Sequence, residues 1–342
     1  MAETTSSRLQ KIFDDAIKEL ERIENIAINQ DFVFKGLKKG NPNDIDSFYD
    51  GKLIKTESNE RKYIDGLKDN KILLYSGTKY HLASWFYRSK IDYLFIEEAS
   101  QFSLADCISL GGIATNIVLV GDQQQLGQPT QGSHPNLSGN SVLEYLLKGK
   151  DTVPADMGIF LTRTHRMHPN INSFISENFY ENKLLTNPQN QNRKIDFPKN
   201  FFINNQGIHT ILMDHEDCQQ TSEQEFKKID EIIKKLIGKK FTDVDKKERQ
   251  LTIQDFLIVA PYNAQVNFLL ARLPEGTRCG TIDRFQGQEA PVTIISMTSS
   301  DLESLPRNKS FFFNSNRLNV AISRAQCIST VSYTHLRAHE TR

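Results

Sequence analysis

Neither sign of charge prevails in this sequence: 42 basic residues balance 42 acidic ones over 342 positions. That balance excludes a bulk basic field of the kind that coats nucleic acid, while leaving room for a narrow basic channel. Cysteine is scarce. The four present, Cys107, Cys218, Cys279 and Cys327, are far apart and form no C-x-x-C pair. Neither a zinc site nor a disulfide framework is therefore predicted, and a reducing cytoplasm fits. Long apolar runs are missing too. No stretch approaches the roughly 18 residues of a membrane span, and no charged-then-apolar signal pattern opens the chain. The expectation is a cytoplasmic protein, neither membrane-spanning nor secreted. A last absence is chemical. No G-x-x-x-x-G-K followed by Ser or Thr occurs, because the Gly-Lys pairs at Gly51, Gly149 and Gly238 all fail at the next residue, so the usual cradle for β- and γ-phosphates is lacking.

What is present is organised around two strand ends. Tyr93 to Gln101, YLFIEEASQ, and Ile117 to Pro129, IVLVGDQQQLGQP, are apolar runs too short for helices that end abruptly in acidic and amide side chains. Each reads as a parallel strand buried on both faces, delivering polar groups at its carboxyl end, where open α/β sheets place their ligands. The adjacent carboxylates Glu97 and Glu98 suit a magnesium nucleotide: one holds the metal through water, the other activates the attacking water. A neighbouring strand could aim Gln125 at the same phosphate. The predicted chemistry is nucleoside triphosphate hydrolysis; the alternative is a pair of surface acids at a helix start.

The length suits about two domains, and 38% of the chain is hydrophobic. Leu9 to Ile23 has the spacing of an amphipathic helix. Residues 35–70 read as a polar insertion, Lys71 to Gly77 as a short strand, and His81 to Tyr87 and Leu104 to Leu110 as helices, the second crossing over between the two central strands. A helix over Val142 to Leu147 precedes a linker at Thr152 to Met157. A second series of strands is predicted at Ile159 to Leu161, Thr210 to Met213, Phe256 to Ala260, Cys279 to Ile282, Val292 to Met297 and from Ile328 onwards. Helices fall at Ile171 to Tyr180 and Glu223 to Ile237, the latter opened by a Ser222 to Glu225 capping box. Asn187 to Asn200 reads as a surface loop. Strands alternating with helices in both halves predict an α/β protein with two parallel sheets, divided as 1–153 and 154–330. Val331 to Thr341 departs from the preceding pattern and matches one reading frame of a common sequencing-library adapter, so residues 331–342 are set outside the fold and the natural chain is expected to continue past Thr330.

The ordered set EEASQ, GDQQQLGQP, THRMHP, APYNAQ, TIDRFQGQE and RLNVAISRA, spread over roughly residues 70 to 330, resembles the motifs of superfamily 1 helicases. The likeness is to the branch holding the nonsense-mediated-decay helicase and the nuclease-fused replication helicases, and more narrowly to bacterial proteins in which a RecB-like nuclease domain precedes such a helicase. It implies two RecA-like P-loop NTPase domains, the first incomplete, with ATP and Mg2+ in the cleft between them. The missing phosphate loop is then expected upstream of Met1.

By this resemblance Glu98 is the general base, and Glu97 stands where the family normally carries Asp, one methylene further out, as the magnesium carboxylate acting through water. Gln101 faces the nucleotide, Asp122 holds a metal-bound water or orients a neighbour, and Gln125 donates to a γ-phosphate oxygen. Arg166 and Arg324 are the candidate arginine fingers, since a guanidinium is permanently charged and bidentate; for either one alone a surface salt bridge is the ordinary alternative. His165 stands where relatives often carry a Tyr beside the nucleotide. His165, His168 and Asp122 show no metal-ligand spacing. Gly287 approaches nucleotide or strand by its backbone, and Glu289 is positioned for a ribose hydroxyl. Pro261, Tyr262, Asn263 and Gln265, with Thr281 and Arg284, are candidate contacts to a nucleic-acid backbone, a helix N-terminus being suited to phosphate. Phe311 to Phe313 read as core or hinge packing rather than a stacking platform.

The expected function is that of a fragment of an ATP-dependent helicase or translocase moving 5′ to 3′ on single-stranded nucleic acid, DNA in repair or replication, with little nucleotide binding by the chain alone. The partners expected are that strand and a possible upstream nuclease domain, with no membrane; oligomeric state is left open. The rivals are a nucleotide-independent nucleic-acid-binding or scaffold module, and the regulatory half of a helicase-nuclease.

Overall fold

The computed structural model describes residues 35–36, 75–76, 78–85, 91–128, 135, 137–197, 203–216, 218–300 and 314–334. The helix expected over Leu9 to Ile23, most of the 35–70 insertion, Pro129 and Phe311 to Phe313 lie outside them. The chain divides into two compact units. One comprises residues 1–123 and 127–160, the other residues 124–126 and 161–342.

In the first unit, β1 (Lys35–Gly36) pairs in parallel with β2 (Tyr75–Ser76). Helix α1 (Lys79–Trp85) precedes β3 (Ile91–Ile96), and α2 (Leu104–Leu110) crosses from β3 to β4 (Ala114–Leu119), which is parallel to β3. Ser103 caps α2, its hydroxyl accepting from Asp106 N at 2.9 Å. Helix α3 (Val142–Leu147) opens with a complete capping box, Ser141 with Glu144. Leu94, Ile96, Leu110, Ile113, Val142, Leu143 and Leu147 form the core. β3 is not buried on both faces as its composition suggests. Leu94 and Ile96 are buried in the core while Phe95, on the opposite face of the strand, is exposed.

The second unit is built on a five-stranded, wholly parallel sheet. Its chain order runs β5 (Arg163–Thr164), α4 (Pro169–Phe179), β6 (Leu185–Thr186), β7 (Lys194–Asp196), β8 (Gly207–Leu212), α5 (Glu223–Leu236), β9 (Lys240–Thr242), β10 (Glu248–Gln250), β11 (Phe256–Val259), α6 (Asn263–Leu270), β12 (Arg278–Gly280), β13 (Ala290–Ser296), α7 (Ser315–Ser323) and β14 (Ala325–Tyr333). The sheet order is β12-β11-β13-β14-β8. β11 and β13 are buried throughout, as expected of central parallel strands. Ile229, Ile232, Ile233 and Leu236 of α5 pack on Phe256, Ile258, Val292 and Ile294. Burying such side chains stabilises by about 1.5–3 kcal/mol each.

The α/β class with parallel sheets is as expected, and the structure corrects several local readings. Residues 159–161 form no strand. Gly158 N bonds back to Pro154 O in a turn, and pairing begins only where Leu185 N reaches Thr162 O and Asn187 N reaches Thr164 O. The strand expected to reach Ile282 stops at Gly280, since Thr281 opens a 3-10 turn over Ile282–Phe285. Only half of the Ser222 capping box forms. Ser222 Oγ accepts from Glu225 N at 3.2 Å, but Ser222 N goes to Gln265 Oε1 and the Glu225 carboxylate turns into the sheet. β14 continues past Thr330, Val331 pairing with both Ile295 and Thr210.

Candidate functional site

In the first unit β3 and β4 end side by side. After β3 the chain turns sharply: Glu98 takes a left-handed conformation (φ 53°) and opens a 3-10 turn over Ala99–Gln101. A non-glycine residue there stores backbone strain of order 1–3 kcal/mol, of a kind that gathers at functional sites. Glu97 and Glu98 are both exposed. The turn is pinned to the end of β4 by Ala99 N donating to Val120 O at 2.9 Å. Gly121 makes this approach possible, since a Cβ there would lie 2.8 Å from Ala99 N. The glycine of GDQQQ thus lets the two tips touch, and Asp122 follows, half-buried.

Gln124–Leu126 cluster with the second unit. There Asn319 Nδ2 donates to Gln124 O at 2.7 Å, Asn316 Nδ2 to Gln125 O at 2.9 Å, and Arg324 Nη2 to Gln125 Oε1 at 3.3 Å. Arg324 is 2% exposed and its Nε donates to Val320 O. Arg166 lies alongside, with Nη1 donating to Ser323 O at 3.3 Å and Nε to Glu289 Oε2 at 2.7 Å. Glu289 Oε1 accepts from Gln326 Nε2 at 2.7 Å. Burial would raise the Glu289 carboxyl, but the bonds from Arg166 and Gln326 outweigh it and hold the group below the usual carboxylate range. One Glu289 oxygen thus holds Arg166 and the other Gln326, and the side chain, on which a ribose contact was expected, stays exposed. Gln125, Arg166, Glu289 and Arg324, from four separate motifs, come together.

His165 is exposed and its Nδ1 lies 2.9 Å from Asn187 Nδ2. His168 is buried as the N-cap of α4, Nδ1 accepting from Asn170 N. Burial and the nearby Arg193 charge push His168 down to about 4. No group of three or more His, Cys, Asp or Glu able to hold a metal occurs among the described residues.

At the carboxyl edge of the large sheet, Pro261 and Tyr262 follow β11, Asn263 begins α6, and Thr281 and Arg284 follow β12; Asn263 and Arg284 are exposed. Gly287, with φ 74°, has open space around the position of a Cβ. Gln265 is placed differently from expectation. It is fully buried, with Oε1 accepting from Ser222 N and Nε2 donating to Ser296 Oγ, so its amide is committed inside the unit.

Sequence reasoning missed the centre beneath that edge. The fully buried Glu225 carboxylate accepts from Thr298 N at 3.0 Å, from Ser332 Oγ at 3.1 Å and from Ser296 Oγ, and lies 3.3 Å from His215 Nε2. Thr298 is itself left-handed (φ 68°), an outlier for a β-branched residue, and the carboxylate holds its N–H. Glutamate at the third position of a helix signals a cap, and only the strand tips packed around it reveal the second role.

Residues 139–331 match the AAA domain family. The chain belongs to that family. Its relatives are helicases. It is 29% identical over 255 residues to a DNA polymerase alpha-associated DNA helicase A of Schizosaccharomyces pombe, covering 69% of this chain and 36% of that protein. It is 28% identical over 293 residues to a DNA replication ATP-dependent helicase/nuclease of the same organism, covering 76% of this chain and 20% of that protein. The AAA chain thus spans about a third or less of the length of these relatives. Among solved structures it is similar to an arterivirus nonstructural protein 10 helicase, at 13% identity and TM-score 0.42, over 92% of this chain and 50% of that one, a likeness too slight to bear on the fold.

Proposed function

We propose that the chain is part of the motor of a helicase or translocase that hydrolyses MgATP while moving 5′ to 3′ along single-stranded DNA, in the branch of the nuclease-fused replication helicases. The observation that carries this reading is the arginine pair. Arg324 is buried and bonded to Gln125, and Arg166 is fixed by Glu289 and by the carbonyl of Ser323. Two oriented guanidiniums beside an amide suit charge that grows on phosphoryl oxygens as a bond breaks.

The residues present fit the hydrolytic end of a nucleotide. Glu97 and Glu98 are adjacent, exposed and set on a strained turn at a strand tip, which suits Mg2+, an ion that takes one or two carboxylates together with phosphate oxygens and waters. Nothing in the sequence fits the cradle of the β- and γ-phosphates. When bound, MgATP supplies the phosphoryl group and the divalent charge. Glu97 would be the carboxylate that holds Mg2+, Glu98 would accept the proton of the attacking water, Arg166 and Arg324 would neutralise phosphoryl charge, and Gln125 is aligned by Arg324. Asn263, Thr281 and Arg284 contact the DNA backbone.

The test is ATP hydrolysis by the complete protein carrying this chain, with and without single-stranded DNA, together with strand displacement from each end. Turnover stimulated by the strand and displacement with 5′ to 3′ polarity are expected. Strand binding indifferent to ATP, with no hydrolysis, would return the chain to the class of nucleic-acid-binding scaffolds.

A further inference from the structure

The segment read from sequence as a Pro/Asn-rich surface loop grips the turn that carries Arg166. Pro188–Asn192 form a 3-10 turn capped by Asn187, and Arg193 follows. Asn187 N and Asn190 Nδ2 both donate to Thr164 O, at 2.9 and 3.3 Å. Arg193 Nη1 donates to His165 O at 3.1 Å and to Arg166 O, and Asn190 Nδ2 also reaches Met167 O at 3.0 Å. All four carbonyls from Thr164 to Met167 are thus held by this one segment. Asn190 and Arg193 are buried at 1% and 6% exposure.

Arg193 is an expensive way to hold a turn. No carboxylate makes a direct ion pair with it among the described residues, the charges of Glu289 and Asp243 acting on it only from a distance, and its Nε has no protein partner. Burying a guanidinium without a direct ion pair is costly, and an apolar side chain of similar volume would often stabilise the fold better. Its two carbonyl bonds straddle the residue whose guanidinium meets Glu289.

We propose that Arg193 is a positioning residue for the hydrolysis, fixing the Thr164–Met167 backbone so that the Arg166 guanidinium is held in its working place. This rests on the reading of Arg166 as the charge-neutralising arginine. Misplacing a reacting group by about 1 Å can cost 10²-fold in rate, which sets the scale expected of Arg193.

The experiment is a double-mutant cycle in the complete protein, reading kcat and KM for strand-stimulated ATP hydrolysis, with amide hydrogen exchange over residues 164–168 measured without nucleotide. Arg193→Gln is expected to lower kcat by roughly 10- to 100-fold with KM within about threefold, to speed exchange about tenfold, and to add nothing in an Arg166→Ala background. Arg193→Lys, which keeps the charge but not the fork, recovers part of kcat and reads the same cycle if the Gln variant does not fold. Loss of kcat in Arg166→Ala combined with an independent, multiplying loss from Arg193→Gln, or unchanged exchange over 164–168, would overturn the inference alone. Full turnover in Arg166→Ala would overturn the reading of Arg166 and the inference with it.

Discussion

At the end of β3, Glu97 and Glu98 stand exposed on a left-handed turn, whereas at the carboxyl edge of the five-stranded sheet the carboxylate of Glu225 is closed off from solvent among Ser296, Thr298, Ser332 and His215. Both positions lie where parallel sheets deliver polar groups, and both pair an acid with a strained residue, Glu98 in one and Thr298 in the other. They differ in what the carboxylate can still do. Glu98 is open to water and can exchange a proton. Glu225 has both oxygens committed to donors, so it serves the fold. Location at a strand tip therefore nominates an acid for chemistry, and exposure together with unspent acceptor capacity decides it.

The largest effect expected falls on Arg166. Arg166→Ala should lower kcat of strand-stimulated ATP hydrolysis by about 10³-fold or more with the unfolding temperature nearly unchanged, because the side chain is part-exposed. Glu98→Gln comes next, at roughly 10²- to 10⁴-fold in kcat, with retained nucleotide binding measured by titration. On the other side of the comparison, Glu225→Ala should destabilise by about 3–5 kcal/mol, since it strands the donors of Thr298, Ser296 and Ser332 in a dry interior. Thermal unfolding reads that loss directly.

A smaller effect sharpens the contrast through pH. His168 is held neutral, with its folded value near 4 against the ordinary 6.5. The unfolded chain therefore binds the extra proton first, and stability falls as pH drops from about 6.5 towards 4, by about 3 kcal/mol in all. His168→Asn keeps an N-cap oxygen and should flatten that slope in denaturation curves taken across the window. Asp255 acts in the same direction but lower down. Burial would raise its carboxyl, yet the bidentate Arg249 pair and the Thr252 bonds hold it below the ordinary carboxylate value, so its contribution is present above that value and is lost in acid.

Helices α2 and α3 were legible to the residue, because Ser103 and Ser141 cap them and apolar spacing sets their length. The strands β11, β13 and β14 were legible as apolar runs, though β14 begins at Ala325 and runs on to Tyr333, and β12 ends sooner than expected where Thr281 starts a turn. The acids and arginines of the candidate site could be named from their motifs. Their partners could not. Nothing local tells that Glu289 bonds Arg166 and Gln326, that Gln265 is sealed under Ser222, or that Asn190 and Arg193, in so polar a stretch, are buried around a turn; each depends on contacts between residues distant in sequence. The burial of Glu225 was hidden by a local rule that was itself half satisfied.

The measurement that tests the account most directly sets Glu98→Gln beside Glu225→Gln in the complete protein, with turnover per folded molecule and unfolding temperature read on both. The account predicts that Glu98→Gln loses at least about 10²-fold in turnover at an unchanged unfolding temperature, while Glu225→Gln unfolds at lower temperature with its turnover kept. A Glu98→Gln protein that still hydrolyses ATP at the wild-type rate would contradict it.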